Sequence, residues 1–184
     1  MRTLAIETAT IACSVALFDG EELVAAEAAT VGRGHAERLL PMIAALPDGG
    51  RADAIWVDCG PGSFTGIRVG IAAARGLGFG WKIPVSGFSS MALIAATWFA
   101  RCAGDDVTVV IEGGHGELFV QPFARHAMHT PGELASVKRE LAAVEGACAD
   151  DVAPDARNAL LLTEATLFAR PIYGRAPDAL PMAS

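Results

Sequence analysis

The chain has 184 residues, 52% of them hydrophobic and 19% charged, with a formal net charge of −7. That length suits one domain or two small lobes with ample core. The acidic balance argues against a stand-alone nucleic-acid binder, because phosphate contacts need Lys and Arg. Cys13, Cys59, Cys102 and Cys148 form neither a C-x-x-C pair nor a dense disulfide frame, so they read as free thiols of a reducing cytoplasm. A mean hydropathy of +0.39 leaves apolar surface for a partner, and the start, MRTLAIETAT, lacks an apolar targeting core.

In chain order, Leu4 and Ile6 mark a first strand, Ala12 to Phe18 a second, and Leu23 to Ala28 a third, with Asp19-Gly20 as the hairpin turn. The polar turn Glu7 to Thr10 joins the first two. Leu39, Leu40, Ile43 and Leu46 share one helical face in GHAERLLPMIAAL, with Pro41 limiting the helix ahead of it. Asp53 to Cys59 is a short buried strand, followed by the stretch CGPGSFTGIRVG and an Ala/Gly helix to about Gly80. Ile83 to Ala100 holds 18 residues without a charge. Its Pro, Gly and Ser residues fit a strand, a turn and a buried helix capped by Ser89 or Ser90 better than a membrane span. DVTVVIE and ELFVQPF form a hairpin around Gly113 to Gly116. Thr130-Pro131-Gly132-Glu133 predicts a capped helix with Leu134, Val137, Leu141 and Val144 as its stripe. EGACADDVAPDARN reads as a linker. The order is that of an α/β fold with an N-terminal antiparallel meander feeding a mixed sheet.

The glycine-rich stretch sits between a strand and a helix, the context of a phosphate cradle. It is not a Walker loop, since Ile67 and Arg68 follow Gly66. It misses the dinucleotide fingerprint by one residue, and Pro61 replaces the glycine a nucleophile elbow needs. A tight turn with Ser63 or Thr65 as helix cap is the plainer reading. Gly66, Gly70, Ala74 and Gly78 then recur every fourth residue. Such a stripe admits another backbone closely, either this chain's own sheet or a second subunit. His126 and His129 are spaced to chelate but have no nearby carboxylate or thiol. Glu7 and Glu112, near strand ends, are candidates for a carboxylate pair. No Ser/His/Asp or Cys/His set can be assembled from spacing.

The stretches LAIETAT…ACSVAL, GHAERLLPMI, GPGSFTGIRVGIAAARGL, IPVSGFSS and PIYGRAPDA together resemble the TsaB (YeaZ) family of tRNA threonylcarbamoyladenosine (t6A) biosynthesis, from about Arg2 to Phe123 and again from Arg170 to Pro181. The resemblance implies an actin-like (ASKHA, ribonuclease H-like) fold. Residues 1–103 would form the ribonuclease H-like lobe carrying partner-binding helices, and 104–184 a shortened second lobe. It implies a non-catalytic subunit that pairs with a TsaD-type enzyme, which moves the threonylcarbamoyl group from its adenylate to tRNA. A TsaE-type ATPase would be a third member, tRNA would be reached only through the complex, and self-pairing and ATP or ADP at a subunit interface are compatible with it. No cofactor of its own and no membrane contact are implied.

Carried onto this chain, the family's partner surface falls on His35, Arg38, Leu39 and Ile43 of the first helix and on Gly66, Ile67, Gly70, Ile71, Ala74 and Gly78 of the second. A weak phosphate-loop likeness remains at Glu7, Thr8, Thr10, Gly60, Gly62 and Ser63. The catalytic relatives' H-x-x-x-H metal pair falls at about Ser90 and Ile94, neither of which replaces an imidazole. The family's Asp-Thr-Ser-Thr turn reads Glu7-Thr8-Ala9-Thr10 here, and IEGGHGELF replaces an Asp-Ala-Arg-Arg-Gly-Glu run. The alternatives are a metal-dependent peptidase-like or ATP-hydrolysing enzyme of the same superfamily, and a self-pairing module of unrelated function.

Overall fold

The computed structural model of the protein describes residues 1–32, 34–114, 116–141, 147–150, 152–162 and 167–174. The first three strands, β1 (Arg2–Glu7), β2 (Ala12–Asp19) and β3 (Glu22–Thr30), form the expected antiparallel meander. Asp19 pairs with Glu22, so the tight turn is Gly20-Glu21, one residue later than the sequence suggested. Only Gly20 there takes a positive φ, of 59°, which is the demand of a turn with glycine first. Helix α1 (His35–Ala45) follows, with Pro41 inside it on the exposed side.

Strand β4 (Ala54–Asp58) pairs parallel to β1, and β5 (Val85–Phe88) pairs parallel to β4. Helix α2 (Phe64–Trp81) makes the crossover between them. The short strand β10 (Leu167–Phe168) adds to β5, giving a six-stranded sheet ordered β10-β5-β4-β1-β2-β3. Three meander strands followed by parallel additions on the far side of β1 is the ribonuclease H-like arrangement, so the expected fold class holds.

Helix α3 (Ser90–Arg101) leads to a second sheet of β6 (Asp106–Gly114), β7 (Glu117–Ala124), β8 (Ala135–Lys138) and β9 (Cys148–Ala149), ordered β8-β7-β6-β9. The capped helix expected from Thr130 is not there, because Ala135–Lys138 is instead an antiparallel strand on β7. The cap signal is local, whereas β7 offers a row of unpaired backbone groups that this segment satisfies. Val144 of the expected stripe, and His115 of the hairpin turn, lie outside the described residues. The expected linker also carries structure. Ala149 pairs onto β6 as part of β9, and Ala156 opens a 3₁₀ turn (Ala156–Leu162) with its side chain buried.

The first sheet separates two apolar layers. Leu4, Ile6, Val15, Ile55 and Val57 meet Leu39, Ile43, Ile67 and Ile71 of α1 and α2 on one face. Ala5, Ala16, Phe18 and Trp56 meet Ala156 and Ala159 on the other. Helix α3 contacts that 3₁₀ turn and packs Met91, Ile94 and Phe99 against Val107, Val109 and Phe119 of the second sheet. The apolar run that tempted a membrane reading is therefore divided between β5 and a buried 12-residue helix. No described helix is long and apolar enough to cross a membrane.

Candidate functional site

The ends of β1 and β4, the glycine-rich loop and the second sheet converge on one cleft of about 730 Å³. Its walls are the turn Ala9–Ala12, the segment Gly62–Phe64, the hairpin Val110–Gly114, and residues 152–154 and 172–174. Of the six residues with a phosphate-loop likeness, Thr10, Gly62 and Ser63 line it, whereas Glu7, Thr8 and Gly60 do not.

The loop's amides explain why. Gly60 N–H donates to Asp58 Oδ1 at 2.7 Å, and Gly66 N–H donates to Ser63 Oγ at 3.2 Å, the helix cap. Ser63 N–H donates to the Ala9 carbonyl at 2.6 Å. Three of the amides of this stretch are thus spent on the chain itself. The bare backbone serves the same end. A Cβ on Gly62 would lie 2.1 Å from the Ala9 oxygen, and one on Gly66 would lie 2.0 Å from the Thr8 oxygen.

The small-residue stripe continues that contact. A Cβ on Gly70 would meet Thr8 Oγ1 at 2.3 Å, and one on Gly78 would meet Val85 at 2.3 Å. Ala74 is fully buried in the same core layer. Of the two readings the spacing left open, the structure places this stripe on the protein's own sheet. His35, Leu39, Ile43, Ile67 and Ile71 are likewise buried, and among the expected partner residues only Arg38 is exposed. His35 is structural, since its Nε2 lies 2.9 Å from the Thr10 carbonyl and 3.0 Å from that of Ala12. Both are acceptors, so Nε2 carries the proton and ties α1 to the cleft turn.

Beneath the cleft lies a pair of carboxyl groups. Ile6 and Val57 are in register on the parallel strands, so Glu7 and Asp58, one residue on, share a face. Both are fully buried. Glu7 accepts from Ala9 N–H at 2.8 Å and from the Ser14 hydroxyl at 3.3 Å. Ser14 in turn accepts from Ala156 N–H at 3.0 Å, which fastens the 3₁₀ turn to the sheet. Asp58 Oδ1 also accepts from the Ser90 hydroxyl at 2.7 Å, while its Oδ2 is buried without a partner among the described residues. Burial pushes Asp58 up to about 7. Burial first, and then the charge of Asp58, pushes Glu7 well above the carboxylate range. Burial also raises Cys13 and Cys59 to about 11, with help from those carboxylates, so both thiols are poor nucleophiles.

The partner of Glu7 is therefore Asp58 and not Glu112, which is exposed and ion-paired with Arg139. Sequence spacing could not show this, because strand order decides which carboxyl lies beside β1. A signal for Asp58 was present, since it ends an otherwise apolar strand. Ser90, one of the two positions matching the relatives' metal pair, is the hydrogen-bond donor to Asp58, and Ile94 is buried core. His126 and His129 are exposed, and among the described residues no group of three or more His, Cys, Asp and Glu is placed to hold a metal.

A strap, Leu167–Gly174, closes the loop from above. Ile172 N–H donates to the Cys59 carbonyl at 2.7 Å, and the Arg75 guanidinium donates to the Ala169 carbonyl at 2.5 Å. The strap brings Tyr173 to Phe64 and Arg68 at the mouth of the cleft, a cluster no sequence motif announced.

Comparison with known proteins fits this geometry. The family described as TsaD, tRNA N6-adenosine threonylcarbamoyltransferase, matches residues 27–153. The chain is 37% identical over 130 residues to the tRNA threonylcarbamoyladenosine biosynthesis protein TsaB of Escherichia coli K12, an alignment covering 68% of this chain and 56% of that protein. It is 37% identical over 133 residues to the TsaB of Haemophilus influenzae, covering 69% and 56%. The chain thus spans a little over half the length of these curated relatives. Among solved structures, YeaZ from Pseudomonas aeruginosa superposes with a TM-score of 0.79 at 26% identity, covering 94% of this chain and 99% of that one. With that fold, that glycine-rich loop and that identity, the chain belongs to the TsaB (YeaZ) family, within the wider group that TsaD typifies.

Proposed function

We propose that this chain is a non-catalytic subunit of the tRNA t6A modification machinery that acts by binding and supporting a TsaD-type catalytic subunit. The observation that carries the reading is the 37% identity to two TsaB proteins named for t6A biosynthesis. The site chemistry supports it. The Ser63 amide is turned onto the Ala9 carbonyl, the Gly60 amide onto Asp58, and the carboxyl pair is buried beneath the cleft, while Ser90 and Ile94 occupy the places to which the resemblance carries the catalytic relatives' metal pair. On this reading the chain works in the cytoplasm, holds no cofactor of its own, and reaches tRNA only through the complex. A TsaE-type ATPase, self-pairing in the partner's absence, and ATP or ADP at a subunit seam belong to the same proposal. So does the division into a lobe of residues 1–103 and a reduced lobe of residues 104–184.

Because the small-residue stripe faces inward, the partner surface is assigned to the outward sides of α1 and α2. Leu40 is 52% exposed there and Phe79 88%. Arg75, one turn before Phe79 on α2, is exposed beside it and lines the same shallow groove with Lys82. Aromatic and arginine side chains are the types enriched at interface centres. Co-purification with a TsaD-type subunit tests this. Phe79→Asp is expected to abolish the association while leaving the thermal midpoint of the isolated chain unchanged. Association that survives both Phe79→Asp and Leu40→Asp would remove these faces from the interface.

A metal-dependent peptidase is the second reading, favoured by the resemblance of one solved neighbour to a protein described as a peptidase. It requires a bound metal and turnover by the purified chain alone.

A further inference from the structure

The strap Leu167–Gly174 is fastened by two different kinds of tie. Its backbone is bonded to the first sheet: Leu167 and Phe168 pair with β5, and Ile172 N–H donates to the Cys59 carbonyl at 2.7 Å. Further ties come from side chains of α2. The Arg75 guanidinium donates to the Ala169 carbonyl at 2.5 Å, and Arg68 Nε–H donates to the Tyr173 hydroxyl at 3.1 Å. Ile172, Tyr173 and Gly174 line the cleft. Two arginines of one helix thus hold part of the cleft wall.

Those arginines also stand on the outward side of α2. Phe64, Arg68, Ala72, Arg75 and Phe79 are all exposed and follow one another at helical spacing along one face. The charge of that face is unlike that of the rest of the chain. The net charge is −7, yet α2 holds two arginines and no acidic residue. Such a face fits a partner surface that presents carboxylates. A guanidinium has five donors, and each arginine spends only part of them on the strap. Two parallel bonds to a carboxylate are stronger than a single bond to a neutral carbonyl or phenol, and they gain further where docking excludes water.

We propose that Arg68 and Arg75 form a clasp that couples the partner face of α2 to the cleft. Carboxylates of a docking partner draw both guanidinium groups off Tyr173 and Ala169. The Ile172 amide is then the remaining hydrogen bond, among the described residues, that holds Ile172–Gly174 against the first sheet, and this part of the cleft wall lifts. The clasp rests on the assignment of this face to a TsaD-type subunit, and adds what docking does to the strap.

Hydrogen exchange of the Ile172 amide, read by NMR on the full chain, tests it. The sign separates the clasp from simple cover, because a lifted strap exchanges faster whereas a partner lying over it slows exchange. In the isolated chain, Arg75→Met and Arg68→Met are each expected to speed Ile172 exchange about tenfold, the scale of one lost hydrogen bond to a charged group. Arg75→Lys, which keeps a cation, should speed it less. Thermal midpoints should stay near that of the natural chain, since both arginines are exposed. Adding a TsaD-type subunit to the natural chain is expected to speed Ile172 exchange as well, with size exclusion of the same sample recording association. Exchange unchanged in both Met variants, or unchanged or slowed in a complex that has formed, would overturn the clasp and leave the scaffold role standing. Failure of the two chains to associate would overturn the scaffold role, and the coupling with it.

Discussion

Gly66→Ala is expected to destabilise the isolated chain by about 3 kcal/mol, the upper end of overpacking penalties. The new Cβ would stand 2.0 Å from the Thr8 carbonyl oxygen, a backbone atom that no rotamer change can move. The contact is also bonded, because the Thr8 hydroxyl donates to the Gly66 carbonyl at 2.8 Å. Any retreat of α2 therefore breaks a buried hydrogen bond as well as the packing of Ile67 beneath it. The control lies ten residues along the same helix. A Cβ on Gly76 meets nothing within 4 Å. Gly76→Ala should accordingly stabilise by about 0.5–1 kcal/mol, the ordinary helix preference of alanine over glycine. Urea unfolding of the two variants, without any partner, reads the difference. If the stripe served a second subunit instead, both substitutions would leave the isolated chain stable and only Gly66→Ala would weaken association.

Asp58→Asn is expected to make the protein more stable at pH 8 by about 2 kcal/mol and to flatten its pH profile. In the unfolded chain an aspartate titrates near 3.8, whereas in the fold Asp58 titrates at about 7. Between those values the unfolded chain has released a proton that the folded chain still holds. Stability is therefore fully present below pH 4, falls as pH rises toward 7, and levels off above it. A displacement of that size corresponds to a penalty of up to about 4 kcal/mol at pH 8. Glu7 acts in the same direction, because it too is raised by burial and by its neighbour. Asparagine keeps an acceptor for Gly60 N–H and the Ser90 hydroxyl and removes the charge. It places an amide where Oδ2 has no partner among the described residues, which takes back about 1–3 kcal/mol. Denaturant curves at pH 5 and pH 8 check this. The natural chain should lose stability between them and the variant should lose clearly less, whereas parallel losses would mean that Asp58 is not the titrating group.

The meander, the crossover helix and the central hairpin were legible because each is written in local pattern. Apolar alternation, a glycine turn and a capping serine all act within a few residues. What escaped the sequence depends on distant partners. Thr130-Pro131-Gly132-Glu133 carries a sound helix signal, yet the unpaired edge of β7 claims Ala135–Lys138. Gly66, Gly70 and Gly78 announce that something approaches closely, but the spacing is the same whether a neighbour's helix or Thr8 and Val85 fills it. Glu7 was visible as a carboxyl at a strand end. Its true neighbour emerged only from the parallel pairing of β1 with β4. The cluster of Phe64, Arg68 and Tyr173 joins residues more than a hundred positions apart, and only the strap's return to the first sheet assembles it.

These corrections leave the functional reading centred on partnership. The chain closes its own loop, buries its own carboxyl pair, and exposes Phe79 on the outward side of α2. The most direct measurement is the t6A content of bulk tRNA, read by mass spectrometry of nucleosides, in cells from which this gene has been deleted. The account predicts that t6A falls sharply on deletion, returns with the natural chain, and does not return with Phe79→Asp. Unchanged t6A in the deleted cells would contradict it.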